Sequence, residues 1–101
     1  MTNTLWITKH YNGRRGILLA QVNDDTTDDP IAGTEREFSS GVSSDAEIIA
    51  NCSAIIDYAR EMAALHGFSR VETDYDADLL LGRRPATGLV SPNAQIRALV
   101  P

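Results

Sequence analysis

The stretch SDAEIIANCSAIIDYAREMAALHG, residues 44–67, decides the architecture of this chain. Ser44 stands three residues before Glu47, the spacing of a capping box in which each side chain satisfies a backbone N–H at the helix start. Asp45 adds negative charge where the helix dipole is positive. Gly67 supplies the residue that turns left-handed after the last helical turn. Between these signals the spacing predicts a helix from about Asp45 to His66. At 100° per residue, Ile48, Ile49, Cys52, Ile55, Ile56, Ala59, Met62 and Ala63 share one side. Glu47, Asp57, Arg60 and Glu61 lie elsewhere. One long helix with one apolar face needs a sheet to cover.

Upstream, residues 4 to 22 read as a β-hairpin. Leu5, Trp6, Ile7, Thr8 and Tyr11 suit one strand, and Ile17, Leu18, Leu19 and Val22 suit its partner. Asn12-Gly13 tolerates positive φ and favours a two-residue type I′ turn. That turn sets Tyr11 opposite Arg14, Ile7 opposite Leu18 and Trp6 opposite Leu19. Gly16 offers an alternative, a bulge or longer loop that shifts the register and swaps the faces. Residues 23–33, NDDTTDDPIAG, carry turn formers and little to bury, so they read as an exposed loop. A short polar strand over Thr34 to Ser39 follows, with Phe38 its one large apolar side chain.

Downstream of Gly67 the period changes to two. Val71, Thr73, Tyr75, Ala77 and Leu79 alternate with Glu72, Asp74, Asp76 and Asp78, giving a strand one mixed apolar face and one acidic face. Aspartate is a poor strand former, so pairing is expected to end near Tyr75 and the remainder to turn. Residues 82–90 read as an extended connection. Ser91-Pro92 then signals a cap and first turn for a short helix over Ala94 to Val100, which needs Ile96, Leu99 and Val100 to dock. The expected fold is α+β: a two-layer sandwich with a three- or four-stranded, mainly antiparallel sheet under one long helix. The order is ββ(β)αβ with a short C-terminal helix.

With 101 residues, 43% apolar and 23% charged, the chain is sized for one globular domain over residues 1–101 and is not broadly disordered. Its single cysteine cannot form an internal disulfide, and no Cys/His cluster suggests structural zinc. No apolar run approaches the roughly 20 residues of a membrane span. The opening MTNTLWITKHY lacks the basic start and apolar stretch of a secretion signal, which points to the cytoplasm.

Fourteen Asp and Glu against nine Lys and Arg leave a formal charge of −5 and make the chain a poor general binder of nucleic acid or anionic lipid. The acids cluster. Asp24, Asp25, Asp28 and Asp29 fall within one loop, and Glu72, Asp74, Asp76 and Asp78 alternate along one segment. Surface charge usually serves solubility alone. The sharper reading is a negative field that attracts a basic partner.

Other chemistry has weaker support. Asp24 and Glu35 are spaced like the ends of a calcium loop, but Asp29 stands where that loop needs glycine. Alternate carboxylates on an extended strand lie roughly 6.6 Å apart, too far for all to grip one ion. There is no glycine-rich phosphate loop. His66 at a helix end, His10 on a strand and Cys52 on the apolar helix face each have a structural explanation, so none is expected to be catalytic. Trp6, Tyr11, Tyr58 and Tyr75 offer stacking surface without interleaved cations. Lys9, Arg14 and Arg15 crowd the hairpin tip, where they suit the orienting of a partner.

These features predict a non-enzymatic protein-binding domain that sets Glu72, Asp74, Asp76, Asp78, Asp24, Asp25, Asp28 and Asp29 against a basic protein. Its most specific form is an inhibitor that occupies the nucleic-acid site of a nucleic-acid-handling machine, in the manner of anti-CRISPR proteins. No cofactor, metal, membrane or direct nucleic-acid contact is expected, and a homodimer is compatible with the reading. Two alternatives stand beside it: a small enzyme or ligand-binding domain with a pocket between sheet and helix, and a homo-oligomeric assembly subunit.

Overall fold

The computed structural model describes residues 2–12, 15–39, 45–74, 77 and 92–101. Its elements are β1 (Asn3–Asn12), β2 (Arg15–Asp24), β3 (Asp29–Pro30), β4 (Arg36–Ser39), α1 (Asp45–Leu65), β5 (Arg70–Thr73) and α2 (Pro92–Arg97). The fold is α+β, and the five strands form one mixed sheet. β1 lies between β2, its antiparallel neighbour, and β5, which runs parallel to it. The far edge of β2 carries both β3 and β4, each antiparallel. The sheet is thus mainly antiparallel, as expected, but larger by the two-residue β3, which lies within the segment read as loop. Among the described residues no helix is long and apolar enough to cross a membrane.

Alternation along the strands sends Leu5 and Ile7 of β1, Leu18, Ala20 and Val22 of β2, and Val71 of β5 to one side. There they meet Ile55, Ile56, Tyr58, Ala59 and Met62 of α1, together with Phe68, Ala77 and Ile96. Asp57, Arg60 and Glu61 are exposed on the far side of α1. Ile96 docks α2 in that core, and Leu99 and Val100 pack half-buried against it from beyond the helix, which ends at Arg97 rather than Val100. The side chains of Ile48, Ile49 and Cys52, the Ser44 cap and the 82–90 connection lie outside the described residues.

The hairpin register differs from the expected one. Asn12 pairs Arg15, Tyr11 pairs Gly16, Ile7 pairs Ala20 and Trp6 pairs Gln21. Asn12 is thus the last paired residue of β1 rather than part of the turn, and residues 13 and 14 lie outside the described residues. Each partner moves by two positions, and two positions restore the same face of a pleated strand. The inward set survives the shift.

The end of α1 is closed from two directions. The N–H groups of His66 and Gly67 both donate to the Met62 carbonyl, at 2.9 and 3.0 Å. Gly67 then takes φ +71°, a conformation that costs a residue with a Cβ more than it costs glycine. From the sheet, Asn3 Nδ2 donates to the His66 and Gly67 carbonyls at 3.2 and 3.1 Å. The first residue of β1 thereby caps carbonyls that the helix cannot satisfy itself.

Candidate functional site

The turn between β2 and β3 gathers one acidic group. Asp24 pairs Asp29, and residues 25–28 close the bend. The Asp28 N–H donates to the Asp24 carbonyl at 2.7 Å, and the Thr26 N–H donates to Asp24 Oδ1 at 2.8 Å. Asp28 adopts φ +60°, which aspartate tolerates better than most residues. Asp25 is tied back to β1: the Thr4 hydroxyl donates to its Oδ1 at 2.6 Å. That bond, with lesser help from Thr2 and the Arg70 charge, holds the Asp25 carboxyl below the usual aspartate value against a small opposing effect of burial. Asp24 and Asp25 are thus committed to shaping the turn. Asp28 and Asp29 are exposed and carry no ion pair among the described residues.

The second acidic group is divided. Glu72 pairs Trp6 across the β1–β5 ladder, half-buried and on the side away from α1. β5 ends at Thr73 and Ala77 is helical, so a single strand does not carry the alternation through to Leu79. The cause is Asp74. Its Oδ1 accepts the Ala77 N–H at 2.8 Å, three residues on, and its Oδ2 accepts the Lys9 N–H at 2.9 Å. Aspartate bonds to nearby backbone in competition with sheet ladders, and here the local bond wins. Asp76 and Asp78 lie outside the described residues. Asp24 is level with Asn3 and Glu72 with Trp6, an offset of about 10 Å along the strands. Between them stands Arg70, whose Nη2 donates to Thr4 Oγ1 at 3.3 Å.

The same geometry exposes a feature that the sequence reading did not single out. Both helices contribute to the inner core, and the opposite face of the sheet carries Trp6, Ile17 and Leu19. All three are half-buried, and none packs against the core cluster. Glu37 of β4 lies across from Leu19, on the same face as Glu72. Trp6 and Leu19 each sit one position out of phase with the buried residues beside them, and that alternation was the available signal.

Of the other candidates, two are histidines at the surface and one is a tyrosine in the core. His10 is exposed, with Nε2 2.7 Å from the Thr8 hydroxyl. His66 is exposed at the end of α1. Tyr58, read as stacking surface, is instead 1% exposed in the core. A hollow of about 210 Å³ opens beside the end of α1, walled by Asn3, His66, Phe68 and Ser69. The Asn3 amide there is already spent on helix carbonyls, and Ser69 bonds the Asn3 carbonyl. Among the described residues no three His, Cys, Asp or Glu side chains gather as a metal would require. Comparison with protein-family models, curated proteins and solved structures found no match for this chain.

Proposed function

We propose that this chain is a non-enzymatic protein-binding domain that presents carboxylates to a basic partner. The observation that carries the reading is the β2–β3 turn, braced by its own hydrogen bonds and holding Asp28 and Asp29 exposed. Charges already fixed in place cost little further ordering on association. Asp24 and Asp25 serve the site by shaping that turn. Glu72 sets a further carboxylate on the other flank of β1, and Asp74, Asp76 and Asp78 are proposed to act with it. In its most specific form the partner is a nucleic-acid-binding protein whose basic groove this chain fills. DNA carries a charge about every 3.4 Å along each strand. Since β5 ends at Thr73, an evenly spaced strand row of carboxylates does not supply the imitation, which rests on negative charge alone. The broader statement, contact with a basic surface, is the better supported.

The test is capture from lysate at low and high salt with the parent chain and with an Asp28→Asn, Asp29→Asn double variant, read by mass spectrometry. A partner that the parent retains at low salt, loses at high salt and binds less to the variant is the expected result. Equal capture by both chains at every salt concentration removes the proposal. Failure of added duplex DNA to displace the partner removes its nucleic-acid-site form alone. A stable homo-oligomer that captures nothing favours the assembly-subunit alternative.

A further inference from the structure

We infer that the sheet face turned away from α1 and α2 is a second docking surface, and that its occupant is an amphipathic helix with basic flanks from a partner protein. The inference stands apart from the acidic turn, because apolar side chains outside that turn carry it. Both described helices lie on the other side of the sheet, which leaves Trp6, Ile17 and Leu19 as an apolar strip with no described element over it. Ile17 and Leu19 are two apart on β2, so they share a face. Trp6 lies diagonal to Leu19 across the ladder, within reach of an aromatic ring. The Trp6 indole N–H makes no hydrogen bond to a described residue. Tryptophan in that condition suits an interface, apolar on its ring and bonding at its tip.

The rims of the strip specify the occupant. Glu37 on β4 borders it on one side and Glu72 on β5 on the other. Three strand spacings separate β4 from β5, about 14 Å, which admits a helix of about 10–12 Å diameter with its flanks over the two carboxylates. Cations on those flanks meet Glu37 and Glu72, and an apolar stripe meets Trp6 and Leu19. Arg70, a cation of this face, is bonded to Thr4 at the end of the strip beside Asp25. His10, at the other end, is bonded to Thr8. Carboxylates on both rims favour an occupant that brings a cation to each, which is the complementarity a basic partner supplies.

Trp6 is the only tryptophan of the chain, so its fluorescence reports occupancy of this face. The probe is an 18-residue amphipathic helical peptide with a leucine stripe and lysine flanks. Its control carries glutamate in place of lysine. Saturating lysine peptide is expected to shift Trp6 emission to the blue and protect it from acrylamide, while the glutamate peptide does neither. Leu19→Asn should weaken binding roughly tenfold. Glu37→Gln with Glu72→Gln, which leaves the core untouched, should weaken it and flatten its salt dependence. The Asp28→Asn, Asp29→Asn variant should bind as the parent does.

Four results overturn the inference. These are an unprotected Trp6, equal response to both peptides, binding lost in the turn variant but kept in the face variants, and Trp6 protected in the protein alone as a dimer forms by light scattering. The third leaves the acidic-turn reading intact, so the two proposals fail separately.

Discussion

Tyr58 combines a hydrogen bond, a ring contact and a cation over its ring in one buried side chain. Its hydroxyl donates to the Thr34 carbonyl at 2.6 Å, and its ring meets Phe38 edge-on at 5.6 Å. The Arg36 guanidinium stands 5.0 Å over the same ring while pairing Glu61 at 3.3 Å. The Thr34 hydroxyl in turn donates to the Ile31 carbonyl at 2.7 Å, and the Val22 N–H lies 3.2 Å from it. One phenol therefore ties α1 to the β3–β4 connection and, through Thr34, to β2. Tyr58→Phe should cost about 1–3 kcal/mol in urea titration at neutral pH, because the Thr34 carbonyl loses its buried donor. Burial also raises the phenol from 10 to about 12. A group with a raised folded pKa gives stability that is complete below its unfolded value and is lost as pH climbs through the folded one. The parent should therefore weaken between about pH 10 and 12, and Tyr58→Phe should flatten that decline. Asp28 is the opposite case, a strained residue at the surface. Asp28→Gly should raise the thermal midpoint slightly, by the equivalent of about 0.5–1 kcal/mol, as the φ +60° penalty is relieved.

At the scale of elements, α1 is the one whose loss takes the core with it. Ile55 is 1% exposed beneath it, and Ile55→Ala should cost about 2–5 kcal/mol in urea titration. A loss under about half a kcal/mol would mean the helix does not cover the sheet. This helix was readable in the sequence to within one residue at its end because its stop signal and its apolar period are local. The hairpin was readable in its faces but not its register, since Asn12-Gly13 and Gly13-Arg14 both offer a two-residue turn. The parallel pairing of β5 with β1 was not readable. Nothing local in Arg70–Thr73 names a strand 66 positions away in pairing order. Its early end at Thr73 was foreshadowed by the poor strand propensity of aspartate, but the second bond that holds Asp74, from the Lys9 N–H, depends on three-dimensional geometry.

For the whole molecule, the chain sets carboxylates on both flanks of β1 and an apolar strip on the sheet face turned away from its described helices. The acidic turn was visible in the sequence because four aspartates crowd one short stretch. That Asp24 and Asp25 would spend their carboxylates on the turn and on Thr4 was not, since the sequence does not say which strand end lies beside them. The apolar strip was hidden for another reason. Alternation marks two faces on a strand but does not say which lacks a helix. Only the placement of α1 and α2 on one side leaves Trp6 and Leu19 without a described helix over them. In a structure with its acids at two levels of the sheet, salt should act on partner binding more than on folding.

The central position of β1 has a consequence for the order in which the chain can be assembled. Its antiparallel neighbour follows at once, across two residues, while its parallel neighbour begins at Arg70, about 60 residues later. At roughly 5–20 residues per second of synthesis, β1 waits several seconds with one edge unpaired. Contacts that close short loops form early, and those that close long ones form late. Stopped-flow measurements should therefore find Leu18→Ala slowing folding, with its effect already felt at the barrier. Val71→Ala should chiefly speed unfolding. The strand that organises the finished sheet is then also the one left longest open to a wrong neighbour.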